Sequence, residues 1–183
     1  MTEKEKSQKG LLYYVRDPEL YRDCQSAKAL CHEFNSLHPF ELEKRWELIR
    51  KLFGKVKGNV YIEQPFFCDY GYNIEVGDNF YANHNTIILD TGKVTFGDNV
   101  FIAPNCAFYP PEHPLDVPTR NSGMEYACPI TIGDNVWIGG NTVVLGGVTI
   151  GFDTVIGAGS VVTKDIPSGV LAFGNPCRVI RKL

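Results

Sequence analysis

Residues 132–162 read IGDNVW, IGGNTV, VLGGVT, IGFDTV and IGAGSV, followed by Val162. An aliphatic residue heads each block: Ile132, Ile138, Val144, Ile150, Ile156 and Val162. Glycine follows it at Gly133, Gly139, Gly151 and Gly157. A period of six fits neither the 3.6 of an α-helix nor the 2 of a simple strand. It marks a chain that coils, with one short strand and one turn per repeat. Three repeats, about 18 residues, complete one coil of a prism.

The same spacing runs upstream through Val76, Ala82 and Ile88, and through Phe96, Ile102 and Phe108. Two breaks interrupt it. About two extra residues fall near Asp90-Thr91-Gly92, and a patternless stretch runs from Tyr109 to Cys128. That stretch carries Pro110, Pro111, Pro114 and Pro118, which cannot donate ladder hydrogen bonds. A break of this length inside a compact domain is usually functional or disordered. Residues 109–128 are therefore expected to be a loop thrown outward from the prism. One coil cannot bury its own aliphatic face, so several must stack in register. Most periodic aliphatics and glycines are read as scaffold alone.

Composition narrows the possibilities. A chain of 183 residues suggests one domain with an appendage, and 44% apolar residues are ample for a core. A net charge of −3 gives no general attraction to nucleic acid or to an anionic membrane. No apolar run is long enough to span a bilayer. Met1-Thr2-Glu3-Lys4-Glu5-Lys6 lacks the apolar core of a signal peptide. Six cysteines without a C-x-x-C pair suit free thiols in a reducing cytoplasm.

Residues 1–55 have a helical texture, and 56–183 form the repeat region. Asp17 is a plausible N-cap, with Pro18 at the first helical position. Leu20, Cys24, Ala27, Leu30, Cys31 and Phe34 share one face of a helix reaching about Asn35. A second helix is expected over about Glu41 to Phe53, with Leu42, Trp46, Ile49, Leu52 and Phe53 apolar and Gly54 as its stop.

The order of features resembles the maltose and galactoside O-acetyltransferases, a family of hexapeptide-repeat sugar acetyltransferases. The residues that carry the resemblance begin with Cys68-Asp69-Tyr70-Gly71-Tyr72-Asn73 and Phe80-Tyr81-Ala82-Asn83. They continue with Ala103-Pro104-Asn105, His113-Pro114 and the run from Pro129 to Gly139. They end with Val162-Thr163-Lys164-Asp165-Ile166-Pro167 and Gly174-Asn175-Pro176-Cys177-Arg178. The resemblance implies a mainly β fold, a left-handed parallel β-helix with an N-terminal helical segment. It implies acetyl-CoA as co-substrate, no required metal, and a homotrimer with active sites between subunits. General chirality rules for crossovers favour the opposite hand, so the left hand rests on the resemblance.

Acetyl transfer from a thioester to a hydroxyl has three needs. The hydroxyl must lose its proton, the tetrahedral oxyanion must be stabilised, and the coenzyme must be held in register. His113 is the candidate base: it sits in the longest break, and an imidazole suits proton transfer near neutrality. The resemblance gives Asn83 an acceptor contact and a share of oxyanion stabilisation. Asp69 and Asp90 match acceptor-side positions imperfectly, and Glu125 stands where galactoside-type relatives carry Met. Asp69 occupies a position that is Ser in galactoside-type and Asp in maltose-type relatives. Val15 replaces an Asp used by galactoside-type relatives.

Trp137 precedes an inward Ile138, so it should point outward as a ligand wall or subunit contact. The resemblance places it beside the coenzyme thiol, with Ala103, Gly140 and Ala158 along the pantetheine groove. Thr163, Lys164, Arg178 and Arg181 are expected to meet the coenzyme phosphates. Three alternatives stand beside this reading. One is a same-fold acetyltransferase acting on a non-sugar such as an antibiotic, and another is a non-catalytic assembly prism. A zinc carbonic anhydrase needs a three-histidine site, and only His84 and His113 lie in the coil region.

Overall fold

The computed structural model describes residues 1–183. The repeat region is a three-faced parallel β-helix. Strands of two to four residues alternate with turns, and each strand pairs with its equivalents one coil above and below. Stacking in parallel register aligns the residues that head each repeat into three internal columns. One column holds Val76, Phe96, Ile132 and Ile150. A second holds Ala82, Ile102, Ile138, Ile156 and Ala172. The third holds Cys68, Ile88, Phe108, Val144 and Val162. Every member is buried. This is the product of the six-residue period: one inward side chain per strand, three strands per coil.

The outward residues differ from face to face. One face presents Lys55, Glu75, Thr95, Thr131 and Thr149 in register. The second presents Tyr61, Tyr81, Phe101, Trp137, Val155 and Leu171. The third presents Phe67, Ile87, Ala107, Val143 and Val161. We call these the threonine, aromatic and aliphatic faces. A hairpin of Val170–Phe173 with Arg178–Lys182 closes the aromatic face. At turns Asn79, Asn99 and Asn135 the backbone has positive φ, which asparagine tolerates. Their side chains form a ladder, with Asn79 Nδ2 donating to Asn99 Oδ1 and Asn99 Nδ2 to Asn135 Oδ1.

Four helices complete the chain. α1 (Glu3–Gln8) begins with a capping box between Thr2 and Glu5, a signal present in the sequence but not used in its reading. α2 (Pro18–Ser36) is capped by Asp17, whose carboxylate accepts from the N–H of Glu19 and Leu20. It buries Leu20, Ala27, Cys31 and Phe34, so Cys24 and Leu30 lie at the margin of the expected face. α3 (Leu42–Leu52) packs through Arg45, Leu48, Ile49 and Leu52. Leu42 and Trp46, expected on its apolar face, are exposed. Arg45 takes the inner place because its guanidinium donates to the Ile62 carbonyl at 2.6 Å and lies over the Phe34 and Tyr61 rings. α4 (Val117–Asn121) lies inside the outward loop.

That loop has more order than its prolines suggested. Pro111–Glu112 pairs antiparallel with Met124–Ala127, and Tyr13–Tyr14 from the N-terminal segment pairs with the opposite edge of Met124–Ala127. Pro111 is tolerated because its strand is the outer one. No helix is long and apolar enough to cross a membrane.

Candidate active site

Most of the sequence-predicted site residues lie at two of the prism's three corners. One lies between the aromatic and aliphatic faces and holds Asn83, Ala103, Gly140 and Ala158. The backbone stacks it coil on coil: Ala103 N–H donates to Ile138 C=O, Asn141 N–H to Pro104 C=O, and Gly159 N–H to Gly140 C=O. Asn83, Ala103 and Trp137 line a pocket of about 500 Å³ with Tyr81, Phe101 and Ile102. The orientation of the Asn83 amide follows from its neighbour. His84 N–H donates to Asn83 Oδ1 at 2.7 Å, which turns the Nδ2 group away as a free donor. His84 itself is pinned by a contact between its Nδ1 and the Gln64 carbonyl. Trp137 is 55% exposed, as its place before Ile138 requires.

The other corner joins the aliphatic and threonine faces, and the outward loop leaves from it. It holds Asp69, Asp90, His113 and Glu125, and on the last coil Thr163 and Lys164. His113 follows the outer loop strand, and its side chain is 60% exposed. The loop beyond it is braced by Arg120, which donates to the carbonyls of Pro114 and Leu115. His113 Nε2 lies 3.7 Å from Glu125 Oε2. Glu125 is buried, and its Oε1 accepts a hydrogen bond from the hydroxyl of Tyr13. Burial raises the Glu125 carboxyl above the usual range, opposed by the Tyr13 bond and the His113 charge. Burial also raises Asp69, with Lys28 acting the other way.

Asp90 has a different place from the one expected. Its side chain is fully buried, and its carboxylate accepts from the backbone N–H of Asp69, Tyr70 and Asn73 at 2.8–3.2 Å. It anchors the loop that displays Asp69, and none of its surface is left for an acceptor. Desolvation pushes its carboxyl up to about 6 despite these donors. Tyr13 was not singled out in the sequence. It lies outside the repeat, and its partner Glu125 is 112 positions away.

Thr163, Lys164, Arg178 and Arg181 are all exposed on the last coil and its closing hairpin. Cys177 N–H donates to Val161 C=O at 2.8 Å, so Arg178 and the Thr163-Lys164 pair cap the same coil. From the Trp137 strand to the Arg178–Lys182 strand is three strand steps, about 14 Å at the usual spacing. A separate apolar cleft of about 270 Å³, lined by Phe34, Trp46 and Tyr61 among others, lies under α3. It contains none of these groups.

The sequence-predicted site residues therefore fall into two groups on different corners. His113, Glu125 and Asp69 share one, and Asn83, Ala103 and Trp137 share the other, with the aliphatic face between them.

Comparison with known proteins identifies the family of the chain. The maltose acetyltransferase hexapeptide capping motif matches residues 6–58. The bacterial transferase hexapeptide, six repeats, matches residues 129–164. The galactoside O-acetyltransferase of Escherichia coli K12 is 53% identical over 156 residues, covering 85% of this chain and 77% of that one. The chain belongs to the maltose and galactoside O-acetyltransferase family. A maltose O-acetyltransferase from Clostridium difficile 630 superposes with a TM-score of 0.98 at 53% identity, covering 100% of this chain and 98% of that one. A galactoside acetyltransferase solved in complex with coenzyme A superposes with a TM-score of 0.96 at 48% identity, covering 100% and 91%. The family's capping motif spans the end of α1, Tyr13–Tyr14, α2 and α3, the segment that supplies Tyr13 to the loop corner.

Proposed function

We propose that this protein is a cytoplasmic homotrimeric enzyme that transfers the acetyl group of acetyl-CoA to a hydroxyl of a small sugar. The observation that carries this reading is the separation of the two half-sites. A neighbouring copy packed along the aromatic and aliphatic faces would bring its Asn83 corner against the first copy's His113 corner. Both faces expose apolar side chains, including Trp137 and Phe67, while the third is lined by threonine and charge. Apolar stripes of this kind mark contact surfaces, and a head-to-tail contact that closes makes a ring.

In the assembled site His113 takes the proton of the acceptor hydroxyl as its oxygen attacks the thioester carbonyl. The Asn83 Nδ2 donates to the oxyanion that forms. The tetrahedral intermediate collapses, the carbon–sulfur bond breaks, and the proton on His113 passes to the leaving thiolate. The products are an acetyl ester and free coenzyme A. Asp69 and Glu125 are the acceptor-side carboxylates. Ala103, Gly140 and Ala158 leave room for pantetheine beside Trp137, and Thr163, Lys164, Arg178 and Arg181 hold the phosphates.

The test is release of free coenzyme A from acetyl-CoA with maltose, methyl glucoside, methyl galactoside and non-sugar alcohols as acceptors. Turnover on a sugar is expected. His113→Ala should lower kcat by about 10²–10⁴ with the oligomer intact. Full activity of that variant overturns the base assignment, and turnover on non-sugar acceptors alone overturns the sugar.

A further inference from the structure

α2 lies against the first strand of the aliphatic face. Its Asn35 holds Phe66 twice, with Nδ2 donating to the Phe66 carbonyl at 2.9 Å and Oδ1 accepting from the Phe66 N–H at 2.8 Å. One helical turn earlier Cys31 meets Cys68, and the two sulfurs stand 3.7 Å apart. That is van der Waals contact, so no other atom lies between them. Phe66–Cys68 is the end strand of its sheet. Cys68 therefore heads its column with a coil on one side, through Ile88, and the helix on the other. Both thiols are buried, Cys31 at 3% and Cys68 at 5% exposure. Both are free, as are the other four cysteines.

We propose that Cys31 and Cys68 form an oxidation site, at which hydrogen peroxide closes a disulfide that staples the helical segment to the prism. The contact makes the two thiols unequal. With Cys68 as donor, the bond between them favours the Cys31 thiolate, while the same bond and burial push the Cys68 thiol up. Cys31 is therefore the attacking group. Its thiolate takes one peroxide oxygen, the O–O bond breaks, and the hydroxide that leaves picks up the proton Cys31 has shed. The Cys68 sulfur then attacks the Cys31 sulfenic acid. The S–O bond breaks, and the departing hydroxide takes the Cys68 proton. Two thiols lose two electrons and two hydrogens, and one peroxide becomes two waters. Hydrogen peroxide is small enough to enter through local openings of the α2 packing. Larger thiols are kept out, so Cys68 resolves the sulfenic acid first. The bond joins positions 37 apart in sequence, and a cross-link of that span restricts the unfolded chain. In a reducing compartment the dithiol is the resting state, and the disulfide lasts only as long as the oxidant.

The experiment treats the reduced full-length protein with a small excess of hydrogen peroxide, then alkylates the remaining thiols in denaturant. Free-thiol count, intact mass and tryptic peptides are read. Two of the six thiols should disappear, and the mass before alkylation should fall by two hydrogens. The Cys31 and Cys68 peptides should run as one species that dithiothreitol separates. The oxidised protein should unfold at a higher urea midpoint than the reduced one. Cys31→Ala should abolish both the joined peptide and the gain in midpoint. Cys68→Ala tests the pair from the other side, and Cys31→Ala suffices where that variant fails to fold. Six intact thiols after treatment, a joined peptide formed by Cys24 or Cys128 instead, or Cys31 carried on to its sulfinic acid each overturn the oxidation site. A Cys31–Cys68 disulfide that leaves the midpoint unchanged or lowers it overturns the staple.

Discussion

Asp90 and Asn73 are joined twice: the Asn73 N–H donates to Asp90 Oδ2 at 3.2 Å, and the Asn73 side-chain amide donates to the Asp90 carbonyl at 2.7 Å. With the N–H groups of Asp69 and Tyr70 on its other oxygen, Asp90 ties the end of one coil to the loop of the coil before it. The carboxyl is pushed up to about 6 by burial, while an unfolded aspartate titrates near 4. The folded protein therefore holds a proton that the unfolded chain releases between those two values. Stability from this group is greatest below about pH 4 and declines as pH rises to about 6, by about 3 kcal/mol in all. Asp69 and Glu125, both raised by burial, act in the same direction. Chemical denaturation of wild type and Asp90→Asn between pH 4 and 7 measures this. The wild-type decline should be steeper, and parallel curves would remove Asp90 from the account.

The proposed shared site predicts complementation between inactive chains. His113→Ala keeps the Asn83 corner intact, and Asn83→Ala keeps the His113 corner intact. In a head-to-tail ring assembled from an equal mixture, about one interface in four pairs the two intact halves. Co-refolded protein should recover up to that fraction of wild-type turnover, well above either variant alone. A mixture no more active than the mean of its components would place both groups in one chain's site.

How much of this was legible in one dimension depends on what each residue answers to. The three columns were, because a strict period leaves only one inward position per repeat. Ile138 inward and Trp137 outward follow from the same rule. The corners were not, because a spacing of six does not say which of three faces a residue precedes. Asp90 and Asp69 look alike as polar residues beside a turn, yet three backbone donors converge on Asp90 alone. The loop from Tyr109 to Cys128 read as patternless because its strands are short and proline occupies an edge. Leu42 and Trp46 follow helical spacing, but Arg45 won the inner place through a buried carbonyl and two rings. The tie between Tyr13 and Glu125 leaves no local signal in either stretch.

Arg178 and Arg181 are exposed on the closing strand, and Lys164 is exposed on the last coil. If they bind the coenzyme phosphates, their effect depends on those phosphates being present. Arg178→Ala is expected to raise KM for acetyl-CoA about tenfold, the scale of one charge-assisted contact. The increase should shrink as salt rises. For at least one of the three cations, the penalty should vanish with acetyl-dephospho-CoA, identifying the partner of the 3′-phosphate. Equal penalties on both coenzymes for all three variants would exclude contact with that phosphate.

Trp137 and Ile138 are consecutive, and their side chains point to opposite sides of the prism wall. Ile138 has no exposure and stacks between Ile102 and Ile156. Trp137 is exposed in the pocket with Asn83 and Ala103. Truncating Ile138 to Ala opens a cavity in a column whose neighbours are held by parallel ladders above and below, so the site cannot collapse to fill it. A loss of about 2–5 kcal/mol is expected, with kinetic constants near wild type wherever the variant is folded. Trp137→Ala removes no contact inside the prism and should cost far less stability than Ile138→Ala. It should raise KM for acetyl-CoA, because the coenzyme loses an aromatic wall of the pocket. Denaturant midpoints and steady-state constants measured on both variants separate the two roles. A destabilised Trp137→Ala with unaltered KM would mean that the aromatic face serves subunit packing alone.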